Sequence, residues 1–414
     1  MNAEIANDKA WRYTLVLLAC IFSTQVATAA ILKNLYVITE STFGWTAFYY
    51  IVSFFAAIPQ SGLSDESGRK KHLLIASFCV LTALACLLIS IVLNSKMQGF
   101  NLPYPALMAL TVFPPCLLLA LTGNAIPIAR GFLSILKLHN FRISIGLSTA
   151  CIGLGWITVD LLQLKFSSIK VLLISIFIQL IIIMLIAYSL DFKEVSQGFK
   201  KRVSTIVYSS YTWCVGMLFV TGGIAAFLAY LFSETAFYQI YILDELPKTI
   251  FKEKVNGISM GIAYFIGVIS LWIINPSDKK SIKFGILFSF ISILIYLCLD
   301  FFNELISNHS EIQQHVMYIK GGSQFLFSFG FGFSIPALFS LMSNNIHPDH
   351  TGRLFGAVDS TDTAALASTD LLLGKFLKVK GNNLILSSII FTLIFLSLIC
   401  YYRFIKIFKS YEKN

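Results

Sequence analysis

Carboxylates interrupt the long apolar runs of this 414-residue chain, and they are the residues best suited to chemistry. A charged side chain at the centre of a bilayer costs about 2.5 to 3.5 kcal/mol on insertion scales, so each one needs a partner, a water-filled cavity or a task. Glu234, Asp160 and Asp362 are such carboxylates. An acid in these surroundings can take up and release a proton near neutral pH, so we expect these three to carry protons. The alternative for each is a residue that pairs with a cation or reaches water at the end of its run.

Polar side chains in the same runs are suited to binding a small molecule between helices. Asp359 and Asp362 are three residues apart, so they share a helix face that we expect to avoid lipid. For Gln25, a hydrogen bond between helices is an equally good explanation. Arg130 lies near the end of its run, where it can instead join a network with the charged turn described below. The candidate binding residues are Gln25, Asn124, Arg130, Tyr238, Gln239, Asp359 and Asp362.

The composition places these residues in a membrane protein. Hydrophobic residues make up 57% of the chain and charged residues 13%, which is too little polar surface for a soluble globule. The net charge of +10 comes from cations scattered between apolar runs, a pattern typical of membrane topology, so we expect no nucleic acid partner. All eight cysteines lie inside apolar runs and are interpreted as packing residues. We expect no cofactor and no metal site.

Twelve apolar runs of about the length that crosses a bilayer predict an all-α polytopic membrane protein with 12 transmembrane helices. Asp278 lies 213 positions after Asp65, and the same offset moves runs two to six almost onto runs eight to twelve, which predicts two six-helix bundles related by duplication. The bundles are residues 1–190 and 212–414, joined by a charged cytoplasmic linker, 191–211. The runs are 11–35, 43–61, 72–93, 104–136, 143–166, 169–190, 212–243, 256–274, 283–302, 318–342, 354–377 and 384–408.

The distribution of cations predicts the orientation of the chain. Most of the 31 Lys and Arg residues fall on one side when both termini are placed in the cytoplasm, as the positive-inside rule requires. The charged turn at 62–71, between the second and third runs, is then cytoplasmic. We expect a multi-pass protein of a cell membrane, such as a bacterial inner membrane.

The charged turn also carries a recognisable motif. Asp65, Gly68, Arg69 and Lys70 match the last four positions of Gly-x-x-x-Asp-x-x-Gly-Arg-Arg/Lys, and Gly62 lies one position after the place of the first glycine. In this the turn resembles the loop between helices two and three of the major facilitator superfamily. The resemblance implies two six-helix bundles around a cavity that faces each side of the membrane in turn, with this turn as a latch. It also implies that Asp65 meets the start of the eleventh span near Gly352 and Arg353, where a helix N-terminus favours an anion.

The expected function follows from this resemblance and from the buried acids. A proton-coupled importer of a small polar metabolite, such as an amino acid, is the leading hypothesis, and a proton-driven exporter of a drug or siderophore is the alternative. The segment from Gly123 to Arg130 also resembles nutrient importers of intracellular bacteria. An enzyme is not expected, because no nucleophile and base can be assembled. The expected partners of a monomer are a small-molecule substrate, protons and the lipid bilayer.

Overall fold

A computed structural model describes most of the predicted spans. It describes residues 7–39, 42–97, 113–122, 125–136, 141–190, 248–306, 310–344 and 350–376, and five single residues between 392 and 403. Within these ranges the structure has eleven α-helices. They are α1 (Asn7–Thr39), α2 (Thr42–Ser67), α3 (Arg69–Met97), α4 (Phe113–Thr122), α5 (Ala125–Ile135), α6 (Phe141–Lys165), α7 (Ser168–Ser189), α8 (Lys248–Ile274), α9 (Asp278–Ile306), α10 (Ser310–Asn344) and α11 (Thr351–Phe376).

The described helices overlap the apolar runs, and several of them extend beyond the runs by a turn or more. Five of the described helices include a stretch that is long and apolar enough to cross a membrane. The fourth run, 104–136, contains two described helices, α4 and α5. The seventh run and the linker lie outside the described residues, as does almost all of the twelfth.

The turn between the second and third spans is shorter than the sequence suggested. Residues 62–71 were expected to form a loop, but α2 continues to Ser67 and α3 begins at Arg69, so Gly68 alone reverses the chain. Gly68 has a φ of 104°, which a glycine adopts without the steric cost of a Cβ. Its amide donates to the Ser64 carbonyl at 3.2 Å and thereby ends α2. Helical hydrogen bonding thus extends six residues beyond the apolar run.

Two groups of helices can be distinguished by position in the chain. We call α1 to α7 the N-terminal set and α8 to α11 the C-terminal set. In the N-terminal set, α1 packs against α6 and α7, and α3 packs against α4 and α7. In the C-terminal set, α10 packs against both α8 and α9. Gly267 and Gly332 allow the close approach of α8 and α10, because a Cβ on Gly332 would lie 2.2 Å from the Tyr264 carbonyl oxygen.

The two sets meet along two lines of contact. In one, α11 packs against α2 and α5, and in the other α6 packs against α8 and α10. The charged turn between α2 and α3 lies at one end of the first line, where α11 begins. The α8–α9 turn and the first residues of α6 lie together at one end of the second line. We call these two sites of contact, taken together, the closed end.

Candidate functional site

Asp65 joins the two sets by capping α11. Its Oδ1 accepts a hydrogen bond from the Gly352 amide at 3.1 Å, and its Oδ2 accepts one from the Arg353 amide at 3.0 Å. The Arg69 guanidinium, one turn along the chain, also donates to Oδ1 and forms an ion pair with it. A carboxylate at a helix N-terminus is stabilised by unpaired amides and by the helix dipole. The contact expected between Asp65 and the start of the eleventh span is therefore present.

The electrostatics of Asp65 reflect a balance between burial and these partners. Its side chain is fully buried, at 0% exposed. Burial raises the pKa of the Asp65 carboxyl above its usual value, while the Arg69 charge and the two α11 amides act to lower it. Burial and the three partners of Asp65 thus act on its pKa in opposite directions. We call the contact of Asp65 and Arg69 with Gly352 and Arg353 the latch.

Small residues allow the latch to close. A Cβ on Gly352 would lie 2.5 Å from Asp65 Oδ1, and one on Gly356 would lie 2.7 Å from Ser61 Cβ. A Cβ on Gly62 would meet the Arg353 side chain at 3.0 Å. Such small residues let helix backbones approach closely in membrane proteins. The absence of a Cβ at Gly352 and Gly356 therefore permits the close packing of α2 and α11 seen here.

Thr351 ties a third helix into the latch. Its Oγ1 donates to the Gly131 carbonyl of α5 at 3.3 Å and accepts a hydrogen bond from Arg69 Nη2 at 3.4 Å. On the solvent-exposed side of the latch, Arg353 forms an ion pair with Glu66 at 2.6 Å, and both side chains are about two-fifths exposed. Exposed pairs of this kind contribute little to stability. Thr351 and Glu66 were not predicted from the sequence.

Lys70, which was predicted to belong to the latch, has a described contact inside the N-terminal set. Its Nζ donates to the Ala187 carbonyl at 2.9 Å, in the last turn of α7. A cation at a helix C-terminus is attracted to the partial negative charge of the carbonyls that the helix leaves unpaired. This contact of Lys70 holds α3 and α7 together within one set.

A second charged contact between the sets lies at the start of α6. Arg142 donates to the Pro276 carbonyl at 2.5 Å, to Asp278 Oδ1 at 2.9 Å and to Asn275 Oδ1 at 3.0 Å. Arg142 Nη2 also donates to the Leu271 carbonyl at 3.4 Å, so the guanidinium lies over the turn between α8 and α9. Asp278 of this turn lies 213 positions after Asp65, the offset on which the predicted duplication rests. This contact of Arg142 was not predicted from the sequence.

Two of the predicted binding residues make contacts between helices. Trp156 Nε1 of α6 donates to Gln25 Oε1 of α1 at 3.2 Å, so the hydrogen bond that was the alternative reading of Gln25 is present. Arg130 is buried and donates to Ser148 at 3.2 Å and to Thr149 at 3.1 Å, both on α6.

The acids of the spanning helices differ in exposure. Asp160 of α6 is 1% exposed, one helical turn after Trp156. Asp359 of α11 is half-buried, and the neighbouring Ser360 donates to the Phe54 carbonyl of α2 at 3.0 Å. Asp362 lies one turn further along α11. Glu234, Tyr238, Gln239 and Asn124 lie outside the described residues. Among the residues that the structure describes, no group of three or more His, Cys, Asp or Glu side chains is arranged to hold a metal ion.

Comparison with known proteins bears on the fold. No protein-family model matches the sequence, and a search of curated proteins gave no match. Solved structures match nearly the whole chain. A bacterial homologue of the iron transporter ferroportin, in an outward-facing state, has a TM-score of 0.71 and 14% identity over 97% of this chain and 99% of that one.

Two further structures agree. The human organic anion transporter MFSD10 has a TM-score of 0.67 and 13% identity over 95% of this chain and 99% of that one. FucP, the fucose:proton symporter of E. coli and a major facilitator superfamily transporter, has a TM-score of 0.64 in its outward conformation. Its identity is 15% over 95% of this chain and 99% of that one. The chain is therefore an all-helical, multi-pass membrane protein with the major facilitator fold, as predicted. The number of 12 spans and the cytoplasmic position of both termini stay predictions.

Proposed function

We propose that this protein is a secondary active transporter that works by alternating access, and that the latch stabilises one of its end states. The observation that carries the proposal is the capping of α11 by Asp65 from the other helix set. These hydrogen bonds can break while every helix stays intact, since a capping side chain adds to a helix end and does not form its backbone ladder. Two helix sets joined by such contacts are suited to a change between two arrangements.

The closed end is the cytoplasmic end in this proposal. Three cations in succession, Arg69 to Lys71, begin α3, and Lys279 and Lys280 begin α9 at the corresponding turn. Cytoplasmic turns carry an excess of Lys and Arg. The described state is then closed to the cytoplasm and suited to receiving substrate from outside, with both chain termini in the cytoplasm.

The proposed reaction is proton-coupled uptake of a small polar metabolite such as an amino acid. Asp160 supports a proton site, because a carboxylate that is 1% exposed inside a spanning helix can exchange a proton only when its surroundings change. Glu234 and Asp362 are further proposed proton sites. Gln25, Arg130, Asp359, Tyr238 and Gln239 are the proposed contacts for substrate, together with Asn124. The FucP neighbour is itself a fucose:proton symporter.

The experiment is uptake by proteoliposomes that contain the purified protein, with a panel of labelled amino acids and sugars under an imposed pH gradient. Empty liposomes and an uncoupler are the controls. We expect accumulation of at least one compound that collapses with the uncoupler. Loss of preloaded compound driven by the gradient would instead favour the exporter. Equal flux in protein-containing and empty liposomes for the whole panel would contradict transport of these compounds.

A further inference from the structure

Arg130 carries a positive charge into a nearly water-free position, since it is 6% exposed. Hydroxyl groups of α6 hold its guanidinium: Nε donates to Ser148 and Nη2 donates to Thr149. Both hydroxyls give their own hydrogen to the Ile145 carbonyl, at 2.7 and 3.0 Å, so their oxygens are left to accept from Arg130. Because α5 and α6 belong to the N-terminal set, this hold does not depend on the C-terminal set.

An aromatic ring of the C-terminal set covers the guanidinium. The Cζ atom of Arg130 lies 5.0 Å from the centroid of the Phe339 ring in α10. Phe339 is buried and meets Phe355 of α11 edge to face, with centroids 5.8 Å apart and an interplanar angle of 83°. A cation within about 6 Å of a ring centroid is attracted to the negative face of the ring. Phe355 therefore fixes the ring that Arg130 contacts.

We propose that Arg130 and Phe339 form a cation–π gate between the two helix sets, in addition to the latch. When the sets separate, the guanidinium stays with Ser148 and Thr149 while the ring leaves with α10, so the contact exists only in the closed arrangement. The inference rests on the proposed function, because a gate is needed only by a protein that opens at this end. It gives Arg130 a closing role beside the substrate contact expected from its sequence position.

The gate differs from the latch in its chemistry. Protonation of Asp65 would remove the charge that strengthens its hydrogen bonds to α11, whereas a phenyl ring has no proton to gain and an arginine keeps its charge at every physiological pH. A desolvated cation–π contact shifts an equilibrium between two states by about tenfold or somewhat more. The gate would thus keep this end closed under conditions in which the latch is weakened.

Fluorinated phenylalanines at position 339 provide the test. Each fluorine withdraws negative charge from the ring face and nearly preserves the ring shape, so the protein is expected to fold. Spin labels on Lys71→Cys and Lys280→Cys, which are exposed positions on the two sets, report the distance across the closed end. The eight native cysteines are replaced by alanine. We expect the closed fraction to fall stepwise with fluorine number, so that the ratio of closed to open molecules drops about tenfold over the series.

Phe333 provides the matched control on the same helix. It is as buried as Phe339, and its ring stacks on Phe329 with centroids 6.0 Å apart. Fluorination of Phe333 is expected to leave the closed fraction unchanged, and Arg130→Gln is expected to abolish the dependence on fluorine at Phe339. If Arg130→Gln does not fold, comparison of the fluorine series at Phe339 with that at Phe333 still tests the gate.

Three results would overturn the gate. These are a closed fraction that is indifferent to fluorine at Phe339, one that responds equally at Phe333, and one that responds equally in Arg130→Gln. The measurement needs no substrate, so its outcome is separate from that of the transport assay.

Discussion

Asp65 caps α11 through both of its carboxylate oxygens, and the Arg353 amide, 3.0 Å from Oδ2, belongs to the other helix set. The other oxygen of Asp65, Oδ1, accepts hydrogen bonds from both the Gly352 amide and the Arg69 guanidinium. One buried carboxylate therefore satisfies two amides of α11 that the helix itself leaves unpaired. In the proposed transport cycle, opening this end would expose those amides and the Asp65–Arg69 pair to water, which would replace the lost hydrogen bonds.

Asp65→Asn is expected to weaken the closed state without preventing folding. The amide keeps one acceptor oxygen but loses the charge that strengthens its hydrogen bonds and pairs with Arg69. Loss of a charged hydrogen bond costs about 2 kcal/mol, so the ratio of closed to open molecules should fall about 30-fold. We expect slower transport with substrate affinity within a few-fold of the parent, measured by flux and equilibrium binding on the same preparation.

Glu66→Gln is the matched control for Asp65→Asn, because it removes the neighbouring carboxylate from an exposed pair with Arg353. An exposed pair contributes about 0 to 1 kcal/mol, so the ratio of closed to open molecules should change less than about fivefold. Equal effects of the two substitutions would mean that total charge, and not capping of α11, holds the sets together. Complete loss of substrate binding in a folded Asp65→Asn protein would also contradict the latch.

Gly356→Ala is expected to disfavour the closed state by steric conflict. The added methyl group would lie 2.7 Å from Ser61 Cβ and 2.8 Å from the Ala57 carbonyl oxygen of α2. Overpacking of this kind costs about 1 to 3 kcal/mol, and here the helices can avoid it by separating. The spin-label distance across the closed end should therefore lengthen.

Gly322→Ala is the control for Gly356→Ala, because a Cβ at Gly322 meets nothing within 4 Å among the described residues of α10 and its neighbours. It should leave the distance distribution unchanged. A Gly356→Ala protein that keeps the parent distribution would show that α2 and α11 tolerate the methyl group while closed, and the steric argument would fail.

The sequence supported the latch because its residues are close together in the chain. Asp65, Gly68 and Arg69 form a local motif, and its resemblance to a known family supplied the distant partner at Gly352 and Arg353. The extent of α2 was wrong because the apolar run ends at residue 61, whereas helix geometry continues until Gly68 adopts a positive φ. Hydropathy measures the length of hydrocarbon contact and not the length of the helix.

The contact of Arg142 was missed for a different reason. Two of its acceptors are the backbone carbonyls of Leu271 and Pro276, and a carbonyl is present at every residue. No residue type marks such a partner, and more than 120 positions separate it from Arg142. The cation–π pair of Arg130 with Phe339 has the same character, since Phe339 is one of 37 phenylalanines.

Arg142→Gln is expected to weaken the same end independently of the latch. Glutamine is too short to donate to both carbonyls and to Asp278, so the ratio of closed to open molecules should fall about tenfold. Arg142→Lys should give a ratio between those of Arg142→Gln and the parent. Combined with Asp65→Asn, the two effects on free energy should add within about 0.5 kcal/mol, because the substituted residues share no described partner. A lower melting temperature with an unchanged closed fraction would instead show that Arg142 only stabilises the fold.

Asp160→Asn is expected to separate exchange from accumulation. Asparagine resembles the protonated acid in shape and lacks its charge, so a transporter that uses Asp160 as its proton site should still exchange substrate but lose accumulation driven by a pH gradient. Asp359→Asn is the comparison, since Asp359 is half-buried beside the α2 contact and is proposed to meet substrate. It should raise the substrate concentration needed for half-maximal exchange while accumulation at saturation persists. If Asp160→Asn still concentrates substrate, the proton is carried elsewhere, and Glu234→Gln and Asp362→Asn distinguish the remaining sites. If Asp160→Asn loses exchange as well, Asp160 contacts substrate or supports the fold. A thermal melting curve separates these two roles.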